Sequence, residues 1–296
     1  MPDELRIFER PELERPVLVA AFRGWNDGAQ GASLAASYLA KLWSAEKFAD
    51  VDPEGFFDFQ ATRPHVALEE GMTRRIDWPE TAFYRSRPPD SERDVVLLAG
   101  IEPNVRWRTF TDLIVGFAKE LGIELVITLG ALLADVPHTR NAPVTGSASD
   151  PELVERLGLQ ASRYEGPTGI VGVLHDACAR VGLPSASLWA AVPHYVSLTP
   201  SPRAALSLCD RLSGLLGISI PAAELEEAAR AYEQQVSEAV ASDEETAAYV
   251  EELERRADTI EASDLPTGDA LAAELTRYLR ERESGNGGSD EAATDQ

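Results

Sequence analysis

Lysine is almost missing from this sequence: Lys41, Lys47 and Lys119 are the only three among 27 basic residues. Cysteine occurs twice, as Cys178 and Cys209. Each sits in an apolar helical pattern without CxxC spacing, so neither a disulfide framework nor a thiolate zinc site is expected. No apolar run approaches the ~20 residues of a membrane span, which predicts no membrane partner. The opening Met1-Pro2-Asp3-Glu4-Leu5 offers neither a basic stretch nor an apolar segment before a cleavage site, so the expected address is cytoplasmic. Positive charge is scarce overall: 50 acidic residues give a formal net charge of −23. A chain this acidic repels phosphate backbones, so no nucleic-acid partner is expected. The excess is uneven, because residues 221–296 hold 21 acidic and 6 basic residues, −15 of the total, leaving −8 for residues 1–220. Arginine and alanine codons are rich in G and C, so the preference for Arg over Lys reads as genome composition.

What is present is a globular composition, 44% hydrophobic over 296 residues, enough for one large α/β domain or a domain with an appendage. Residues 17–22 form an apolar run expected of a strand buried on both faces, broken by Gly24-Trp25-Asn26-Asp27-Gly28. A helix over 29–43 follows. Further strands are expected at 56–61, 94–99, 125–129 and 187–192, with a short one near 159–164. Helices are expected at 108–121, 151–157, 168–181 and 204–216. The alternation predicts a three-layer α/β/α sandwich with a mostly parallel sheet as a core domain over 1–220. Past Ile220 the pattern becomes helical, predicting an acidic helical extension over 221–283. Its first helix runs to about Ala241 with Leu225, Tyr232 and Val236 on one face; its second is capped by Ser242 with Glu245. A third helix over 268–282, capped by Thr267, precedes a tail over 284–296 expected to be disordered.

In a parallel sheet the loops leaving the carboxyl ends of the strands share one rim, where ligands of such folds bind. The candidate ligand-binding residues gathered there are Asn26, Asp27, Arg63, His65, Glu102, Arg106, Asp135, His138, Thr139, Arg140, Thr168 and His194. Three of the four histidines follow a proline, which ends ladder donation and presents the next side chain at a strand end. His65, His138 and His194 with Asp27, Glu102 and Asp135 are the right residue types for a metal or an acid/base pair. No two of them have the local spacing of a ligand motif, so no metal is expected and strand-end hydrogen bonding is the simpler reading. Gly24 to Gly31 matches neither phosphate-loop pattern, and Asp27 at the helix entry repels phosphate, which favours a cap. Thr168 is the expected cap of the helix holding Ile170, Val173, Leu174 and Cys178. No G-x-S-x-G elbow exists and both cysteines lie on helix patterns that predict core positions, so acyl transfer is unsupported, Thr139 and Thr168 are only weak nucleophile candidates, and no catalytic residue and no cofactor are assigned. Trp25, Trp107 and Tyr195 lie near the same rim as wall or packing residues.

The same loops resemble the proteasome assembly chaperone 2 family, in its actinobacterial branch. The carrying residues are Gly24-Trp25-Asn26-Asp27-Gly28-Ala29, Gly100-Ile101-Glu102-Pro103-Asn104 with Arg106-Trp107, Gly130 through Arg140, Gly166-Pro167-Thr168-Gly169, and Ser187 through Tyr195, spread over about residues 16–216. The resemblance implies a phosphorylase/hydrolase-like α/β/α fold, with the C-terminal helices as a lineage extension. It implies a non-catalytic, self-associating assembly-chaperone-like or interaction protein, with proteasome subunits as possible partners. Eukaryotic members dock through a C-terminal hydrophobic-Tyr-any residue tail, and Ala292-Ala293-Thr294-Asp295-Gln296 departs from that pattern. The alternative is a small-molecule-binding or hydrolase/ligase-like protein with its site on the rim.

Overall fold

The computed structural model describes residues 4–69, 73–148, 151–159 and 165–264. Strand β2 (Val17–Arg23) is buried along its first six residues, as the unbroken apolar run dictates. It pairs in parallel with β7 (Val95–Ile101) and β8 (Leu125–Ala134), and β8 pairs in parallel with β10 (Ser185–Pro193). Antiparallel strands extend this centre on both sides. Beyond β7 lie β6 (Thr81–Ser86), β3 (Glu46–Val51) and β1 (Leu5–Ile7); beyond β10 lies β9 (Val144–Ala148). The order is β1-β3-β6-β7-β2-β8-β10-β9, with five of the eight strands running one way.

Successive residues of β2 feed opposite cores. Val17, Val19 and Ala21 pack under α1 (Gly31–Leu42) and α5 (Pro202–Leu216), whereas Leu18, Ala20 and Phe22 pack under α2 (Trp107–Glu120) and α4 (Ile170–Arg180). This is the expected three-layer sandwich. The second core is the aromatic one, where Phe22, Phe48, Phe56, Phe83, Phe110 and Phe117 are all fully buried. Each such side chain contributes about 2–3 kcal/mol. The thiols of Cys178 and Cys209 are buried and free, and burial pushes both up to about 12.

Several expected elements fall elsewhere. Residues 56–61 are not a strand: Phe56 and Phe57 are buried from a turn after a 3₁₀ segment (Pro53–Gly55), and the strand is β3, just before it. An unexpected hairpin, β4 (His65–Glu69) with β5 (Thr73–Asp77), forms a separate two-stranded sheet. The helix predicted at 168–181 begins at Ile170 behind Gly169, and Thr168 is exposed outside it. Short α3 (Pro151–Leu157) stands where expected.

Helix α6 (Ala223–Ala241) lies on α5 through Leu225, Ala229, Tyr232 and Val236, a stripe at helical spacing. Helix α7 (Glu244–Asp264) returns beside it with Val250 and Leu253 buried. Its cap is Asp243, whose carboxylate accepts from the Glu245 amide and the Thr246 hydroxyl, not Ser242. The expected helix over 268–282, its Thr267 cap, the tail over 284–296 and residues 160–164 of the expected short strand lie outside the described residues. Among the described residues no helix is long and apolar enough to cross a membrane.

Candidate functional site

The carboxyl ends of β2 and β7 and the first turn of α4 are tied together by one carboxylate. Glu102, just past β7, accepts from the Trp25 amide at 3.0 Å, from Asn26 Nδ2 at 3.1 Å and from the Ile170 amide at 2.8 Å. The last bond caps α4, so a negative charge from another loop sits where the helix dipole favours it. Gly169 is required beside it, because a Cβ there would lie 2.2 Å from Asn26 Nδ2 and 2.7 Å from Glu102 Oε1. Asn26 is buried, and its carbonyl accepts from the Ala131 amide at 2.9 Å, joining this loop to β8. Trp25 is held by its backbone while its ring stays 66% exposed.

On the opposite face Asp27 caps α1, its Oδ1 accepting from the Ala32 amide at 2.8 Å and the Ser33 amide at 3.2 Å. Its Oδ2 is buried without a hydrogen-bond partner. Burial raises the Asp27 carboxyl above its ordinary pKa, against the opposing pull of the Ser33 and Ala32 hydrogen bonds and of nearby Arg23.

Five other candidates do not face an open crevice. Asp135, His138, Thr139, Arg140 and His194 all bond to α6 or α7, His138 buried beneath them and Asp135 and His194 at their exposed edge. His138 Nδ1 meets the Tyr195 hydroxyl at 2.8 Å and its Nε2 meets Ser237 Oγ at 3.0 Å. The Tyr195 oxygen also accepts from the His138 amide at 2.9 Å, so both ring nitrogens and the amide of His138 are engaged. Burial holds the His138 imidazole below its ordinary value and pushes the Tyr195 phenol up to about 12. His194 meets the Tyr249 hydroxyl at 3.0 Å, and that hydroxyl donates to Asp135 at 3.1 Å. Thr139 donates to Glu254, and Arg140 forms a two-armed pair with Asp258 at 2.8 and 3.1 Å. The polar rim here fastens the acidic hairpin to the core.

The remaining candidates separate again. Arg63 and His65 line a cleft between α1 and the β4–β5 hairpin, away from the other two histidines. Arg106 pairs with Glu4 at 2.7 Å and lies over the Phe56 ring at 5.1 Å, and Trp107 donates its indole N–H to the Pro103 carbonyl at 2.6 Å. The twelve residues are thus spread over several separate places, with Asn26 and Glu102 together, the five at the acidic hairpin together and Arg63 and His65 together, and they do not converge on one cleft. Among the described residues no three His, Cys, Asp or Glu side chains gather as a metal site. Sequence reasoning passed over Arg23, which shares the inner face of β2 with Ala21, and the hairpin partners Ser237, Tyr249, Glu254 and Asp258. Of the latter, only Glu254 and Asp258, four apart on α7, carried a spacing that signalled a shared face.

The family model described as "PAC2 family" matches residues 21–240. A solved PAC2 family protein from Streptomyces avermitilis is 50% identical, with a TM-score of 0.75 over 79% of this chain and 99% of its own. A proteasome-assembly chaperone homologue from Mycobacterium tuberculosis is 46% identical, with a TM-score of 0.73 over 79% of this chain and 99% of its own. An archaeal proteasome activator from Pyrococcus furiosus is 20% identical with a TM-score of 0.64, over 79% of this chain and 97% of its own, a likeness of fold alone. No protein of curated function matches the sequence.

Proposed function

Because the chain belongs to the PAC2 family, we propose that it acts as a non-catalytic, assembly-chaperone-like interaction protein that associates with copies of itself. A relative that is a proteasome-assembly chaperone homologue supports this reading, and extends it to proteasome-related partners. The observation that carries it is the chemistry of the rim. Glu102, Asp135, His138 and His194 are engaged in internal bonds, while Trp25, Val105, Leu132 and Leu133 stay 44–66% exposed. The Asn26–Ala131 and Trp25–Glu102 bonds hold these apolar side chains on neighbouring strand ends. Apolar groups held rigidly on a surface whose polar groups are already paired suit a protein partner better than a reacting substrate.

Native mass spectrometry and sedimentation velocity test this. The unmodified protein is expected to form a discrete oligomer at micromolar concentration, and Leu133→Asp with Trp25→Glu is expected to shift it to smaller species at unchanged helix content. A monomer at that concentration, with no proteasome subunit retained, overturns the reading.

A further inference from the structure

Helices α1 and α5 cover β2, β8 and β10 on one face of the sheet but leave the ends of β7 and β6 uncovered there. The β4–β5 hairpin stands off from that gap, and between it and α1 lies a cleft of about 720 Å³. Its floor is Ala21, Ala99 and Gly100, residues too small to fill it. Gly100 cannot be larger, since a Cβ there would come within 2.5 Å of Thr81 Oγ1. This volume matches the range of small-molecule sites, roughly 300–1,000 Å³.

The charges around the cleft are unevenly satisfied. Asp77 is paired with Arg75 at 2.7 Å, and Glu80 with Lys47 at 2.5 Å. Arg23 and Arg63 line the same cleft and have no ion pair among the described residues. In a chain with 50 acidic residues against 27 basic, two guanidiniums in no ion pair among the described residues, Arg23 feeling only the longer-range pull of Asp27, leave positive charge beside one cavity for a ligand. Gln30, Ser33 and Ser37 add neutral polar groups from α1 and its approach. Gln30 and the preceding Ala29 both hold positive φ, 53° and 45°, where non-glycine residues are strained, a cost of about 1–3 kcal/mol each that folds retain chiefly at functional sites. Opposite them Trp78, half-exposed, lines the cleft, its ring braced edge-on by Phe59 at 4.8 Å between centroids.

We infer that this cleft is a binding site for a small organic oxyanion carrying a flat ring. Arg23 and Arg63 receive the phosphate or carboxylate group, for which the planar guanidinium fork is suited, and Trp78 stacks on the ring. The site is separate from the apolar rim, so it stands or falls independently of self-association.

Isothermal titration calorimetry of the full chain in low salt tests it with phenyl phosphate, adenosine monophosphate, benzoate and inorganic phosphate as probes. At least one ring-bearing probe is expected to saturate below about 1 mM and to bind more tightly than inorganic phosphate. Phenyl phosphate against benzoate identifies the preferred head group. Arg63→Gln and Arg23→Gln are each expected to weaken that probe on the order of tenfold, and Trp78→Ala several-fold. Arg108→Gln, an exposed arginine on α2, leaves it unchanged. The inference is overturned if no ring-bearing probe saturates, or if Arg63→Gln and Arg108→Gln bind the best probe equally while remaining folded.

Discussion

Glu102→Ala is expected to lower stability by about 3 kcal/mol, the largest effect of any single rim substitution, although the residue lies in a loop and belongs to no hydrophobic core. The side chain accepts three bonds, from the Trp25 amide, Asn26 Nδ2 and the Ile170 amide. Hydrogen bonds to a charged group are worth ~1.5–3 kcal/mol each, and partial exposure of Glu102 lets water replace some of that. In a protein of this size the melting temperature should fall by roughly 6–12 °C. Glu102→Gln keeps one acceptor oxygen but turns an amide N–H toward another donor, and should lose about half as much. Gly169→Ala tests the same node sterically, since its Cβ would overlap Asn26 and Glu102. It should match the alanine variant within about 1 kcal/mol. Differential scanning calorimetry decides: a Glu102→Ala midpoint within about 2 °C of the parent would refute the tie.

The node explains why part of this architecture was readable from sequence and part was not. Strand β2 announces itself because both its faces are apolar, and α2 and α5 because their leucines and phenylalanines recur at helical spacing. Strand β3 does not, because Asp50 is buried within it, next to its last residue. That carboxylate is acceptable there only through Arg6 on β1 and Lys47 on β3, each 2.6 Å away. A charge neutralised across strands reads as a loop in one dimension, and the neighbouring aromatic pair, Phe56 and Phe57, drew the expected strand into the turn. The same logic governs the candidate site. Placing polar residues at strand ends follows from chain order, so Glu102, His138 and His194 were legible as rim residues. What they bond to is not. His138 meets Ser237 across 99 positions, and Glu102 meets Ile170 across 68. Without those partners the rim resembled an open constellation, when most of it is a brace for helix ends and for the acidic hairpin.

That brace carries the second large expectation. Among the side chains of α7 described, Leu253 is the most deeply buried, 1% exposed, and Leu253→Ala should cost about 2–4 kcal/mol of local docking energy. Because α7 touches the core mainly through α6 and the β8 loop, the loss should appear as faster amide exchange confined to α6 and α7, with the sheet protected as before. Acid should act in the same direction. Burial favours the neutral His138 ring, outweighing the pull of Glu233 and Glu254 toward the charged form, while Arg203 opposes the charged form as well. The detached state therefore binds more protons between the depressed value and the ordinary one near 6.5. Stability of the docked state rises with pH through that window, is complete above it, and is lost as pH falls below the ordinary value. Exchange in α6 and α7, corrected for intrinsic rates, should accelerate between about pH 7.5 and 5.5, and His138→Gln should flatten the dependence. A pH dependence that survives His138→Gln would assign the acid sensitivity to the carboxylates of the hairpin. Exchange that spreads into β8 and β10 on Leu253→Ala would show the hairpin to be a structural part of the sandwich and not a fastened extension.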